Sequence, residues 1–260
     1  MDVRKRIRLR RFRRTARYLA LAVAVVFFCT CHKARALKLF RPTLFGMEAI
    51  APRTYVDKAM PSDQREQILK IVSDSEARVA RYYGNVSTRP ELFFYSSQDS
   101  FQSFGGASET GLTFLGRASL FSPRGRSVPI VAHEWSHVEF QSRVGLWHLL
   151  KVPRWFDEGL AVTVSEEPRH SESVYQEALQ AGASPPSLAE LETSRQWNQA
   201  VKKYRAPELN PGNRAVVYAA AGHEVREWFQ RAGVRGLQEF CLELDSGTNF
   251  SLAYAKAGHK

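Results

Sequence analysis

His133-Glu134-Trp135-Ser136-His137 decides how this chain reads. The five residues have the form H-E-x-x-H. They lie in a stretch from about Val128 to Arg143 that is expected to be helical, with Pro129 in its first turn and Gly145 as its stop. Residues four apart share one helix face, so both imidazoles can reach a single metal ion. Glu134 sits beside that point, placed to take a proton from water. With 7 histidines in 260 residues, such a match arises by chance in roughly one chain in a hundred. A third ligand is needed before the pattern carries weight.

Catalytic metal sites commonly use three protein ligands and keep one position open. Downstream stands Pro153-Arg154-Trp155-Phe156-Asp157-Glu158-Gly159-Leu160-Ala161. Twenty residues separate His137 from Glu158, enough to finish one helix, turn, and begin an antiparallel second one. Together the two segments resemble the gluzincins, zinc metallopeptidases of the peptidase MA type, in which H-E-x-x-H is followed by a W-x-x-E-G-x-A helix. The resemblance implies that His133, His137 and Glu158 hold one Zn2+ per chain and that Glu134 is the general base. The metzincin pattern requires Gly at 140 and His at 143. Phe140 and Arg143 stand there, and that pattern is rejected.

A further match begins at Tyr218-Ala219-Ala220-Ala221-Gly222. It resembles the Y-x-x-G helix of aminopeptidase-type gluzincins, which implies that the Tyr218 hydroxyl stabilises an oxyanion. His223 is the alternative donor, as in thermolysin-like relatives. The plain reading of Tyr218 is a half-buried core tyrosine. His223-Glu224-x-x-Glu227 reads more simply as a solvated helix face than as a second metal site. His32, His148, His170 and His259 have no partner at ligand spacing and receive no role. The resemblance spans about residues 90 to 258, with only about a dozen positions that are specific to it.

The net charge of +11 is unevenly placed. Residues 1–17 hold nine basic side chains against Asp2, and Lys33 and Arg35 add two more, so residues 37–260 carry only about +1. The high pI therefore does not argue for nucleic-acid binding. The basic run leads into Tyr18-Leu-Ala-Leu-Ala-Val-Ala-Val-Val-Phe-Phe-Cys-Thr-Cys31. A positive segment followed by such an apolar one has the form of an export signal. Fourteen residues are short of the ~20 that span a bilayer, but extension to Thr15 with Arg17 snorkelling makes a span feasible.

The favoured reading is a signal-anchor over 18–36, with the tail 1–17 in the cytoplasm and the remainder outside the inner membrane. A cleaved signal ending near Ala34-Arg35-Ala36, giving a secreted protein, is the alternative. Two of the 3 cysteines fall in the apolar run. Only Cys241 is left beyond it, expected at a buried helix position, so no intrachain disulfide forms there.

Residues 37–60 read as a linker or irregular entry strand, and 61–260 as the catalytic domain. Helical spacing of Ile68, Ile71, Val72, Val79 and Tyr82 predicts a helix from Ser62 to Tyr83, stopped by Gly84. Glu91–Ser96 is expected as a strand, Gln98–Phe104 as a short helix, and Leu112–Phe121 as one or two strands around Gly116. The resemblance makes Arg117–Phe121 the sheet edge that pairs with an extended peptide. Beyond Glu158 the expected elements are all helical: Pro153–Ser165, Ser171–Ala181, Ser187–Thr193, Arg214–Arg231, Val234–Leu244 and Asn249–Ala257. Glu208–Arg214 is the expected exposed loop.

Strands first and helices later give an α+β fold. In its zincin-like form a small N-terminal mixed sheet and active-site helix face a mostly helical C-terminal lobe from about residue 153. The implied activity is zinc-dependent hydrolysis of a peptide or protein substrate. An endopeptidase is favoured, because no G-x-M-E-N-like segment is present to hold a free amino terminus and Glu109 is a distant substitute. The other readings are a membrane-anchored binding protein on the same scaffold, and a hydrolase of a non-peptide amide.

Overall fold

The computed structural model describes residues 38–114, 116–205 and 214–258. The basic run 1–17, the apolar segment 18–36 with Cys29 and Cys31, and nearly all of the Glu208–Arg214 loop lie outside the described residues. No helix among the described residues is long and apolar enough to cross a membrane. Residues from Ala49 onward form one compact unit, which holds the candidate site and all the helices named below.

The architecture is α+β, with a small mixed five-stranded sheet and a mostly helical remainder. The strands are β1 (Met47–Ala51), β2 (Thr54–Asp57), β3 (Glu91–Phe94), β4 (Gly111–Phe114) and β5 (Ala118–Phe121). Their spatial order is β1-β2-β3-β5-β4. β3 runs parallel to both β2 and β5, with Leu92 opposite Thr54 and Ser119. β4 folds back antiparallel on β5 through Gly116, whose φ of 61° suits a glycine. The unbroken apolar run Leu92-Phe93-Phe94 suits a central strand covered on both faces.

Two expectations change here. Regular strands β1 and β2 lie within 37–60, where a linker or an irregular entry strand was expected. The sheet edge beside the metal-motif helix is β4, not Arg117–Phe121. β5 is interior because the hairpin through Gly116 lays Gly111–Phe114 along its outer side.

Helix α1 (Ser62–Tyr83) buries Ile68, Ile71, Ser75, Val79 and Tyr83, a stripe of threes and fours, and ends at left-handed Gly84. A short α2 (Gln98–Ser103) follows β3, capped by the Ser97 hydroxyl on Ser100 N–H. Then come α3 (Val128–Val144), the one-turn α4 (Leu146–Leu149), α5 (Arg154–Ser165), α6 (Glu172–Gln180), α7 (Ser194–Lys203), α8 (Ala215–Asp245) and α9 (Phe250–Gly258).

α8 is two helical runs broken at Gly233 (φ 63°, ψ −171°), matching the expected break between Arg231 and Val234. Ser187–Thr193 contributes only a 3-10 turn, Leu188–Leu191. α7 has no counterpart among the sequence expectations. Its signals were present: a Thr193–Gln196 capping box, then buried Trp197, Ala200 and Tyr204 at helical spacing.

Helices α3, α5 and α8 pack on one another, and α9 packs on α8. Aromatic rings lock them together: Phe156 lies 4.9 Å from Phe240 and 5.4 Å from Trp228, centroid to centroid, with Phe140, Phe250 and Tyr254 around them. Gly159 and Gly222 explain how closely α5 and α8 approach. A Cβ on Gly159 would lie 2.4 Å from the Ala221 carbonyl oxygen, and one on Gly222 would lie 2.6 Å from Val162 Cγ1. Only glycine permits that contact without displacement.

Candidate metal centre

Helix α3 presents His133 and His137 one turn apart, their rings 5.0 Å apart and nearly perpendicular. The chain then reverses through α4 and a turn to Pro153, so that α5 runs back beside α3. Glu158, in the second turn of α5, is buried and directs Oε2 to 3.5 Å from His133 Nε2 and 3.9 Å from His137 Nε2. Donor atoms of these three residues all lie within 4.8 Å of one another, and theirs is the one such cluster among the described residues. A tetrahedral ion with bonds of 2.0–2.2 Å spaces its donors roughly 3.3–3.6 Å apart. Two imidazole nitrogens and one carboxylate oxygen within 4.8 Å of one another, somewhat wider than that spacing, could hold a metal ion by closing in on it.

The residues behind the cluster orient it. Asp157 Oδ1 lies 2.9 Å from His137 Nδ1. Arg154 reaches Asp157 Oδ2 at 2.5 Å through one terminal nitrogen and Glu158 Oε1 through the other. Burial pushes His137 down, but the charge and hydrogen bond of Asp157, helped by Glu158 and Glu134, raise it to about 9. Burial would lift Asp157, yet His137 and Arg154 keep it ionised below its ordinary value. Glu158 is likewise held well below the usual carboxylate range, chiefly by Arg154 and the two histidines, against the effect of its burial. An ionised Asp157 can only accept, so His137 keeps a proton on Nδ1, and it is Nε2 that can bind a metal once its own proton is displaced.

Glu134 projects from α3 toward the edge strand. The Thr113 hydroxyl donates to its Oε2 at 2.6 Å and lies 3.1 Å from the Ser119 hydroxyl. Gly111 makes room for it, since a Cβ there would fall 2.8 Å from Glu134 Cγ. The open cleft along this face has a volume of about 640 Å³ and is lined by Leu112, Thr113, Leu149, Arg154, Trp197 and Tyr218 with the cluster. A second lobe of about 370 Å³ adds Arg169, His170 and Arg214. Glu109, Gly111, His133, Glu134 and Tyr218 line both lobes.

Tyr218, on α8, therefore lines the cleft together with the cluster. Its ring stacks on His170 at 4.7 Å and meets the edge of Trp197 at 5.1 Å. Burial and then the charge of Glu158 push its hydroxyl up to about 12, so it remains a proton donor. His223 does not reach the site. Five residues further along α8 it points roughly 140° away, stacked on Tyr175 at 4.2 Å and bonded to Glu172 at 2.9 Å. Glu224 is also engaged elsewhere, accepting from the Tyr254 hydroxyl at 2.8 Å.

Sequence reasoning passed over Thr113, Arg154, Asp157, His170 and Trp197. Asp157 and Arg154 could have been found from Glu158, since one is adjacent and the other a helical turn before it. His170 and Thr113 offered no signal, because only the fold brings them near. No protein-family model, curated protein or solved structure matches the chain.

Proposed function

We propose that the protein is a zinc-dependent peptidase of gluzincin type on a zincin-like fold, acting as an endopeptidase and tethered to the outer face of the inner membrane by residues 18–36. The observation that carries this reading is the convergence of His133, His137 and Glu158 in a cleft where Thr113 on the edge strand holds Glu134. Zinc, when bound to those three side chains, supplies Lewis acidity to water and to the scissile carbonyl.

The chain's own residues do the rest. β4 is the sheet edge beside α3 among the described residues, and its backbone is the one on which an extended peptide can be paired and oriented. Glu134 accepts the proton of the attacking water and passes it to the leaving nitrogen. Thr113 keeps that carboxylate in place, while Arg154 and Asp157 fix the ligands around it. Tyr218, protonated throughout the ordinary pH range, donates to the carbonyl oxygen as negative charge gathers there. Glu134 lines both lobes of the cleft, and that room around it favours internal cleavage over trimming of an end.

The test is cleavage of a peptide library by the full chain, with metal content measured alongside. Zinc near one per chain, cleavage abolished by chelator and restored by zinc, and internal cut sites are expected. Glu134→Gln should keep the metal and lose turnover. Undiminished cleavage by that variant removes Glu134 as base, and metal binding with no hydrolysis of any amide points to a binding protein instead.

A further inference from the structure

Four of the five tryptophans are buried, whereas Trp147 is 77% exposed. Leu146 and Leu150 beside it are 53% and 70% exposed, so five residues of chain carry three large apolar side chains into water. Scattered exposed leucines need no explanation, but a contiguous cluster built around a tryptophan does. The cluster belongs to α4, a single turn set between Gly145 and the Val152-Pro153 segment. Leu149 of the same turn lines the cleft. The three exposed side chains share the turn of Leu149 and so make an apolar lip beside the cleft, with His148 among them and exposed Lys151 next in the chain.

We propose that this lip inserts into the interfacial layer of a lipid bilayer, which would place the mouth of the cleft at the membrane surface and make membrane-proximal polypeptide segments its substrates. The composition suits that environment. An indole and two leucines enter the headgroup–acyl boundary while a lysine ammonium stays among the phosphates. The length of chain preceding the unit points the same way. Seventeen residues separate Cys31, at the end of the apolar run, from Ala49. Fully extended they would reach about 60 Å, and the 3-10 turn Pro42–Phe45 and the start of β1 at Met47 shorten that reach. Such a tether keeps the bilayer at high effective concentration, so a lip of three residues is enough to hold a preferred orientation. The proposal rests on the tethered-peptidase reading above.

The test uses the full chain reconstituted in phosphatidylcholine–phosphatidylglycerol vesicles. Because the other four tryptophans are buried, Trp147 dominates the emission accessible to quenchers, and Trp147→Phe supplies the reference spectrum. The expected result is that the Trp147 emission shifts to the blue, is quenched by doxyl-labelled lipid, and loses its quenching by aqueous iodide. Leu150→Ser should weaken all three effects. Vesicle flotation is scored separately. A chain that floats while Trp147 remains open to iodide overturns the lip and leaves the N-terminal anchor standing. A chain that fails to float overturns both. Protection of Trp147 by a soluble polypeptide but not by lipid overturns the lip in favour of a protein contact.

Discussion

His137 and Asp157 are joined by a 2.9 Å hydrogen bond, and Asp157 is the immediate chain neighbour of Glu158. The residue that orients one candidate ligand is thus built into the helix turn that supplies another. Arg154, bound to both Asp157 and Glu158, makes that turn a single charged unit. Loss of any member is felt by the others.

Asp157→Asn should lower zinc affinity by roughly 10- to 100-fold, because the asparagine neither fixes the His137 tautomer with a charge nor offsets Arg154. Competition against a chromogenic chelator measures this. An affinity within a factor of two of the parent would remove Asp157 from the site.

The raised value of His137, about 9 against 6.5, gives two pH effects of opposite sense. In chelator-treated protein its protonation contributes stability that is complete below pH 6.5 and is lost as pH rises through 9. Metal must displace that proton, so apparent zinc affinity should climb about tenfold per pH unit up to 9. Thermal melts with and without zinc between pH 6 and 9 read both trends, and a zinc affinity flat across that range contradicts the assignment.

Tyr218→Phe and Thr113→Val separate two roles. Removing the phenol hydroxyl should cut kcat by about 100-fold or more while leaving metal content alone. Removing the hydrogen bond to the Glu134 carboxylate should cost about 10- to 100-fold, again without loss of metal. Steady-state kinetics on zinc-loaded protein decides. If Tyr218→Phe retains full kcat, the tyrosine is only a packing residue between His170 and Trp197.

Gly159→Ala places a methyl against the Ala221 carbonyl, where neither helix can yield cheaply. It should destabilise the fold by roughly 1–3 kcal/mol and weaken zinc binding, as α5 is pushed away with Glu158 on it. Urea melts and metal titration report the two effects. Unchanged stability would mean that α5 and α8 adjust freely.

Helical spacing, a short-range rule that fixes which residues share a face, was sufficient to bring His133, Glu134 and His137 together, whereas Glu158 on its separate helix was pointed to by the resemblance of Trp155–Ala161 to a gluzincin third-ligand segment. The same rule marked α1, stopped at Gly84, and the break in α8 at Gly233. Tertiary structure decided what spacing cannot address. The strand that meets Glu134 is β4 and not β5, since strand order depends on how the hairpin through Gly116 folds back. Tyr218 and not His223 faces the cleft, since the choice depends on which side of α8 packs against α5. Thr113, His170 and Trp197 join the site from distant elements, brought there by packing around Phe156, Trp228 and Phe240. Sequence can set a side chain's direction about its own helix, but only the burial of one element against another sets what it meets.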